Sequence, residues 1–156
     1  MFEALVDFFK DYGYWGMGVV AFFSGSIVPV ASEVLLLFFL NLGLDALGLT
    51  AVATLGNTIG GVTCFFMGYL ADKKTLRRIF NIPEKRMDRA DAMIQKYGYW
   101  TAALSFVPFI GEALLVALGV MRVNVYKVVV VMAIGKFLRY LFITASYMGL
   151  AGCLGF

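Results

Sequence analysis

Pro29-Val30-Ala31-Ser32-Glu33-Val34-Leu35-Leu36 and Pro108-Phe109-Ile110-Gly111-Glu112-Ala113-Leu114-Leu115 share one pattern at an offset of 79 residues. Each is a proline, then a glutamate, then a leucine pair, in otherwise apolar sequence. The chain holds only 3 prolines, and two of them stand ahead of the only two glutamates set in apolar surroundings. At the same offset Gly56 matches Gly135. Upstream, Tyr12-Gly13-Tyr14-Trp15 matches Tyr97-Gly98-Tyr99-Trp100, with six extra residues following it in the first copy. Self-similarity of this kind is the signature of an internal repeat, and the joint pattern is too specific for chance. The chain divides into two related halves.

The sequence around these motifs belongs in a membrane. Of 156 residues 62% are apolar and 15% charged, with a mean hydropathy of +0.86. Soluble domains carry about 45–50% apolar residues. Residues 12–32, 46–71 and 140–156 contain no charge, and about 18 uncharged apolar residues suffice for a span. The N-terminus, crowded with Glu3, Asp7 and Asp11, does not read as a signal peptide. No polar linker is long enough to separate two domains, so residues 1–156 are expected to form a single membrane domain. The net charge of +3 does not indicate nucleic acid, because the basic residues flank hydrophobic spans and report topology there. With no histidine and two distant cysteines, Cys64 and Cys153, neither a disulfide framework, a metal site nor a cofactor is expected.

Residues 12–44 are too long for one span and short for two. A helix hairpin that dips in near Pro29 and returns fits better, with its backbone breaks sheltered by protein or a wet cavity. Residues 47–71 form one span. Residues 72–96 hold eight basic residues against four acidic ones. Pro83 suits the first turn of a helix there, and Met87, Ala90, Ile94 and Tyr97 recur at helical spacing. An amphipathic helix on the membrane surface is expected. Residues 97–121 repeat the hairpin and residues 125–150 form the last span. The expected architecture is therefore all-α: repeat 1 over about 12–71, a connector over about 72–96 and repeat 2 over about 97–150. A hairpin plus one span makes an odd number of crossings, so the two repeats are inverted. The positive-inside rule puts the connector, with Arg122 and Lys127, in the cytoplasm and leaves only Lys10 outside.

An ionisable residue at membrane depth is a functional candidate. Glu33 and Glu112 sit at the two expected hairpin tips, which Pro29, Ser32, Pro108 and Gly111 shape. Burial disfavours a carboxylate and a nearby cation favours it, so proton binding is open to both. Lys136 and Arg139 supply two cations on one face of the last span, together with Tyr140, Ile143 and Tyr147. Arg139 lies ~18 Å along that helix from Lys127 at ~1.5 Å per residue. That depth is near the middle of a ~30 Å hydrocarbon core. Lys136 is close enough to snorkel toward the cytoplasm. The equivalent face of the other span is Asn57, Gly60, Gly61, Cys64 and Gly68, which suits close helix packing. Asn57 is expected opposite Lys136, its repeat partner. Ser24, Ser32 and Ser105 are candidates to bond freed backbone groups.

At Pro29-x-x-Ser32-Glu33, Gly56-Asn57-Thr58-Ile59-Gly60-Gly61, Pro108-x-x-Gly111-Glu112 and Gly135-Lys136-x-x-Arg139-Tyr140 the chain resembles the YqaA-type branch of the DedA proteins, within the VTT-domain superfamily. The resemblance covers nearly the whole chain. It implies opposed re-entrant hairpins, a bacterial inner membrane, and movement of a polyprenyl-phosphate carrier or phospholipid between leaflets, with proton coupling as an option. One departure is plain. Typical DedA members carry an arginine three residues before the second hairpin proline, where this chain has Ser105; Arg139 is the candidate to replace it in space. The expected partners are membrane lipids and protons. A small-solute or drug exporter, a lipid-modifying enzyme and a non-transporting assembly protein are the competing functions. The residues offer no nucleophile–base pair for the enzyme.

Overall fold

The computed structural model describes residues 2–26, 32–71, 74–75, 78, 81, 83–107 and 110–154. Pro29 and Pro108 lie outside them. The elements with full bounds among the described residues are, in order, α1 (Phe2–Gly25), α2 (Ser32–Asn41), α3 (Ala46–Leu70), α4 (Glu84–Tyr97), a 3₁₀ segment (Gly98–Phe106), α5 (Ile110–Val120) and α6 (Val125–Leu154). Among the described residues there is no strand. Among the described residues two helices are long and apolar enough to cross a membrane, Ala46–Leu70 and Val125–Leu150. At ~1.5 Å per residue either exceeds a ~30 Å core.

The joints between helices recur 79 residues apart, bond for bond. After α2, Leu42 N donates to Phe38 O, Gly43 N to Leu40 O and Leu44 N to Phe39 O. After α5, Met121 N donates to Ala117 O, Arg122 N to Gly119 O and Val123 N to Leu118 O. Both are Schellman-type stops, which need a left-handed residue just past the helix. Gly43 fills that position at φ 81°, and Arg122 fills it at φ 54° despite its Cβ. The next helix then opens on a side-chain cap. Gly48 N donates to Asp45 Oδ2 at 2.6 Å, and Lys127 N to Asn124 Oδ1 at 3.3 Å. Each such cap stabilises a helix by about 1 kcal/mol.

Glycines let α3 lie close to helices on two sides. A Cβ on Gly56 or Gly60 would strike the carbonyls of Gly18 and Phe22 in α1. A Cβ on Gly68 would strike that of Val116 in α5. The expected small-residue face is therefore a contact surface, with Gly60 and Gly68 serving different neighbours. Two apolar clusters result. One gathers Met17, Ala21, Leu36, Leu49 and Ala53 around the first half, and the other gathers Phe65, Leu114, Leu115, Val128 and Met132 around the second.

Two features differ from expectation. The first arm of the second hairpin is a 3₁₀ segment, not an α-helix like α1. Six fewer residues separate its aromatic motif from the following proline, and the 3₁₀ rise of ~2.0 Å per residue stretches a short segment further than an α-helix would. The amphipathic helix forms as α4, but part of its apolar face is covered by protein, while Tyr97 stays exposed. Met87 and Ile94 are buried, and Ile94 joins the second cluster beside Ala102 and Leu114. The connector helix is thus packed on the protein, with Lys85, Arg86 and Arg89 exposed on its other side.

Candidate functional site

A belt of polar side chains lies between the two apolar clusters, at the middle of α3 and α6. Asn57 follows the start of α3 at Ala46 by 11 residues, and Lys136 follows the start of α6 at Val125 by the same 11. These repeat-equivalent residues meet. Lys136 Nζ donates to the Asn57 carbonyl at 2.7 Å and also to Asn57 Oδ1. Lys136 is only 2% exposed, so it does not snorkel as the sequence suggested. Its ammonium finds two oxygens at mid-helix, and Gly61 leaves it room: a Cβ there would sit 3.0 Å from Nζ.

From Asn57 the bonds run on in one direction. Asn57 Nδ2 donates to Tyr140 OH at 2.7 Å. The Tyr140 hydroxyl also bonds Ser32 Oγ at 2.9 Å, where either oxygen can supply the proton. Ser32 Oγ then faces Ser24 Oγ at 3.2 Å. Tyr140 and Ser32 are fully buried, where an unpaired polar group costs several kcal/mol in hydrocarbon. Four elements, α1, α2, α3 and α6, are tied by this chain. The serines at the first break therefore bond side chains. Ser105 at the second break has a buried hydroxyl with no partner among the described residues.

Next to this chain the two acids take different cations. Glu33, in the first turn of α2, forms an ion pair with Arg139 of α6. The guanidinium also donates through Nη1 to the carbonyl of Phe106 at 2.7 Å, beside Ser105. Arg139 thereby reaches the backbone next to the position where the resemblance implies an arginine, from a different helix. Both members of the pair are about a quarter exposed or less, at 22% for Arg139 and 28% for Glu33. Glu112, in the first turn of α5, acts electrostatically on Lys136 and on Cys64. Cys64 is buried and donates weakly to Gly25 O at 3.6 Å. Gly111 packs at the 3₁₀ segment's end, where a Cβ would strike the Ser105 carbonyl. No cluster of acidic or cysteine side chains among the described residues is placed to hold a metal ion.

Glu33, Glu112, Arg139, Lys136, Asn57 and Ser32 thus gather at one level of the bundle. Sequence reasoning missed Tyr140 as the hub. The available signal was its repeat partner, Gly61: a large residue on one helix matched to none on the other. It also missed the Thr50–Thr144 hydroxyl pair at 2.9 Å, which joins α3 to α6 one turn further along.

Comparison with known proteins supplies the family. Residues 28–149 match the VTT domain. The chain belongs to the VTT-domain, or DedA, family. Within this family it is 31% identical over 128 residues to the inner membrane protein YqaA of Escherichia coli, covering 81% of this chain and 84% of that one. It is 24% identical over 147 residues to undecaprenyl phosphate transporter A of Staphylococcus aureus, covering 86% of this chain and 72% of the relative. A VTT-domain relative at 23% identity over 150 residues, from Lactococcus lactis, is named alkaline phosphatase-like; 86% of this chain and 69% of that one align. No solved structure matches the chain. Family membership, an inner-membrane relative and two spanning-length apolar helices make this a membrane protein of a transporter-bearing family.

Proposed function

We propose that this protein moves an anionic lipid, a polyprenyl phosphate or a phospholipid, between the leaflets of the bacterial cytoplasmic membrane. The observation that carries this reading is the Glu33–Arg139 ion pair, set at the middle of α6 and linking the two halves. Arginine binds phosphate in a bidentate fork, and a charge kept at membrane depth marks a pathway. The transporter name of the Staphylococcus aureus relative agrees with it.

The topology that goes with this reading is a single membrane domain of two inverted repeats. Supporting it, α1 ends with Gly25 beside Asn57 and Gly60 at mid-α3, and α2 begins there with Ser32 on Tyr140. The Tyr14 hydroxyl accepts from Asp45 N at the start of α3, so α1 and α2 run between that end and the middle. The 3₁₀ segment ends at mid-α6, where Phe106 meets Arg139. Arg122 lies 5.2 Å from the Tyr69 ring and Lys127 5.0 Å from the Tyr99 ring. These pairs collect the cations near the connector, the cytoplasmic end by the positive-inside rule. Two hairpins approaching a shared polar centre from opposite leaflets is a recurring transporter plan.

In the mechanism, a proton on Glu33 removes the charge that holds Arg139, and the lipid phosphate takes the guanidinium in its place. Return of the carboxylate expels the phosphate. Glu112 and Lys136 hold the second centre, and Asn57 with Tyr140 keeps the two aligned. The chain acts as a carrier and not as an enzyme: Ser32 is bonded to Ser24 and to Tyr140, neither of which is a base for hydrolysis.

The test is reconstitution with labelled lipid in each leaflet. Transport is expected above empty liposomes, abolished by Arg139→Gln, and independent of a pH gradient in Glu33→Gln or Glu112→Gln. No movement of polyprenyl phosphate, phosphatidylglycerol or phosphatidylethanolamine would overturn the proposal. Unchanged gradient dependence in both glutamate variants would remove its proton step.

A further inference from the structure

The two halves differ most where their outer elements meet the long helices. In the first half α1 closes on α3 through Gly56 and Gly60, with no space for a Cβ at either. Gly56 has its equivalent in Gly135, whose Cβ would lie 2.8 Å from the Ala103 carbonyl, so one close contact survives. The equivalent of Gly60 is Arg139. An arginine cannot occupy a position that excludes a methyl group, so the 3₁₀ segment stands off from α6 there. The guanidinium bridges the gap to the Phe106 carbonyl. An apolar groove of about 470 Å³ opens beside it, lined by Trp100, Ala103, Phe106, Ile134, Leu138 and Phe142, with Arg139 as its only charge.

We infer that this groove holds the hydrocarbon tail of a membrane lipid whose anionic head group engages Arg139. Among the described residues the groove lies against the second half, and lipid enters the protein there. Its volume falls within the ~300–1,000 Å³ of ligand sites. Its lining along α6 runs from Val131 to Ile143, ~18 Å at 1.5 Å per residue. That stretch straddles the middle of the Val125–Leu150 span. The Arg139 guanidinium in the wall is held by Glu33 in this structure, and an anionic head group is the chemistry that can take it over. This inference rests on the proposed function for the head group's role, but the groove and its occupant can be tested without transport.

The two tryptophans of the repeat provide the measurement. Trp100 lines the groove, and Trp15, its equivalent, stands on the closed half; both are exposed, at 62% and 76%. Trp15→Phe leaves Trp100 as the only fluorophore, and Trp100→Phe leaves Trp15. In detergent micelles titrated with chain-brominated phosphatidylglycerol, quenching of Trp100 is expected to saturate near one lipid per protein. Quenching of Trp15 is expected to rise only in proportion to lipid content. Ala103→Phe and the surface change Ile134→Phe both fill the groove and should each remove the saturable part; Arg139→Gln should abolish preference for phosphatidylglycerol over brominated phosphatidylcholine.

Identical, non-saturating quenching of both tryptophans would overturn the inference. So would saturation that survives both filling variants, or a groove that accepts lipid only after a second copy of the chain is dissociated from it. Saturable quenching in a protein that moves no lipid would sink the transport proposal and keep the groove. Transport by a protein without saturable quenching would do the reverse.

Discussion

Replacing Asn57 with alanine removes the residue on which both halves meet. Lys136 Nζ keeps the residue-57 carbonyl at 2.7 Å but loses Oδ1, and Tyr140 OH loses its donor Nδ2. A hydrogen bond to a charged group is worth about 1.5–3 kcal/mol and a neutral one about 1 kcal/mol. Membrane hydrogen bonds measured by double-mutant cycles lie lower, averaging about 0.6 kcal/mol. The expected loss for the pair is therefore about 2–4 kcal/mol. For a chain of this size each kcal/mol moves the midpoint about 2–4 °C, giving a fall of about 5–12 °C. The assay is thermal unfolding in detergent at fixed scan rate, followed by tryptophan fluorescence. The cycle partner is Lys136→Met, which removes the buried charge. In that background Asn57→Ala should cost only its Tyr140 bond, leaving a coupling of about 1–3 kcal/mol between the two sites. A midpoint within 1 °C of wild type, on the order of error, or strict additivity of the two changes, would refute the claim that Asn57 solvates the buried ammonium.

Four further changes test packing, capping and the polar chain. Gly68→Ala should destabilise by about 1–3 kcal/mol through overpacking against the Val116 carbonyl. Gly149→Ala, where a Cβ meets nothing, should be neutral or stabilise by up to about 1 kcal/mol; unfolding midpoints of the two decide. Asp45→Ala should lose about 1 kcal/mol with its cap on Gly48, read as faster amide exchange in the first turn of α3. Tyr140→Phe should cost about 1–3 kcal/mol by stranding the Asn57 amide, with little change in packing, and unfolding in detergent measures it.

Several of these relations are visible in the sequence, for a physical reason. Proline and glutamate are scarce in apolar sequence, so their repetition at one offset exposes the two halves directly. The same offset pairs Asn57 with Lys136, and the pair is bonded. Composition cannot show how far a side chain must reach. The choice between a snorkelling and a buried Lys136 depends on whether an acceptor stands within its reach, which is a property of helix spacing set by Gly61 and its neighbours. The 3₁₀ form of residues 98–106 is set by the length left for the segment, because the propensities of Tyr99-Trp100-Thr101-Ala102-Ala103 do not demand it. The apolar face of α4 looks alike whether its partner is lipid or protein. Only the place of Ile94 in the buried second cluster distinguishes them.

Two halves that meet at equivalent positions face a constraint that each half alone does not. Had both carried lysine at the Asn57–Lys136 contact, two ammonium groups ~4 Å apart would repel by about 4 kcal/mol at an effective dielectric constant of ~20. Had both carried asparagine, the contact would be stable but without charge. The chain uses one of each, and the same asymmetry recurs at the next turn of the same face, where Gly60 opposes Arg139 in the alignment and Gly61 opposes Tyr140. The small residues stand on α3, which is enclosed by α1 and α5. The large and charged ones stand on α6, beside the looser 3₁₀ segment. Stability and access are thereby assigned to different halves. In the first half α1 lies close against α3 at Gly56 and Gly60. The second gives up that contact at Arg139, and the gap it accepts is the groove that leads from the bilayer to the ion pair.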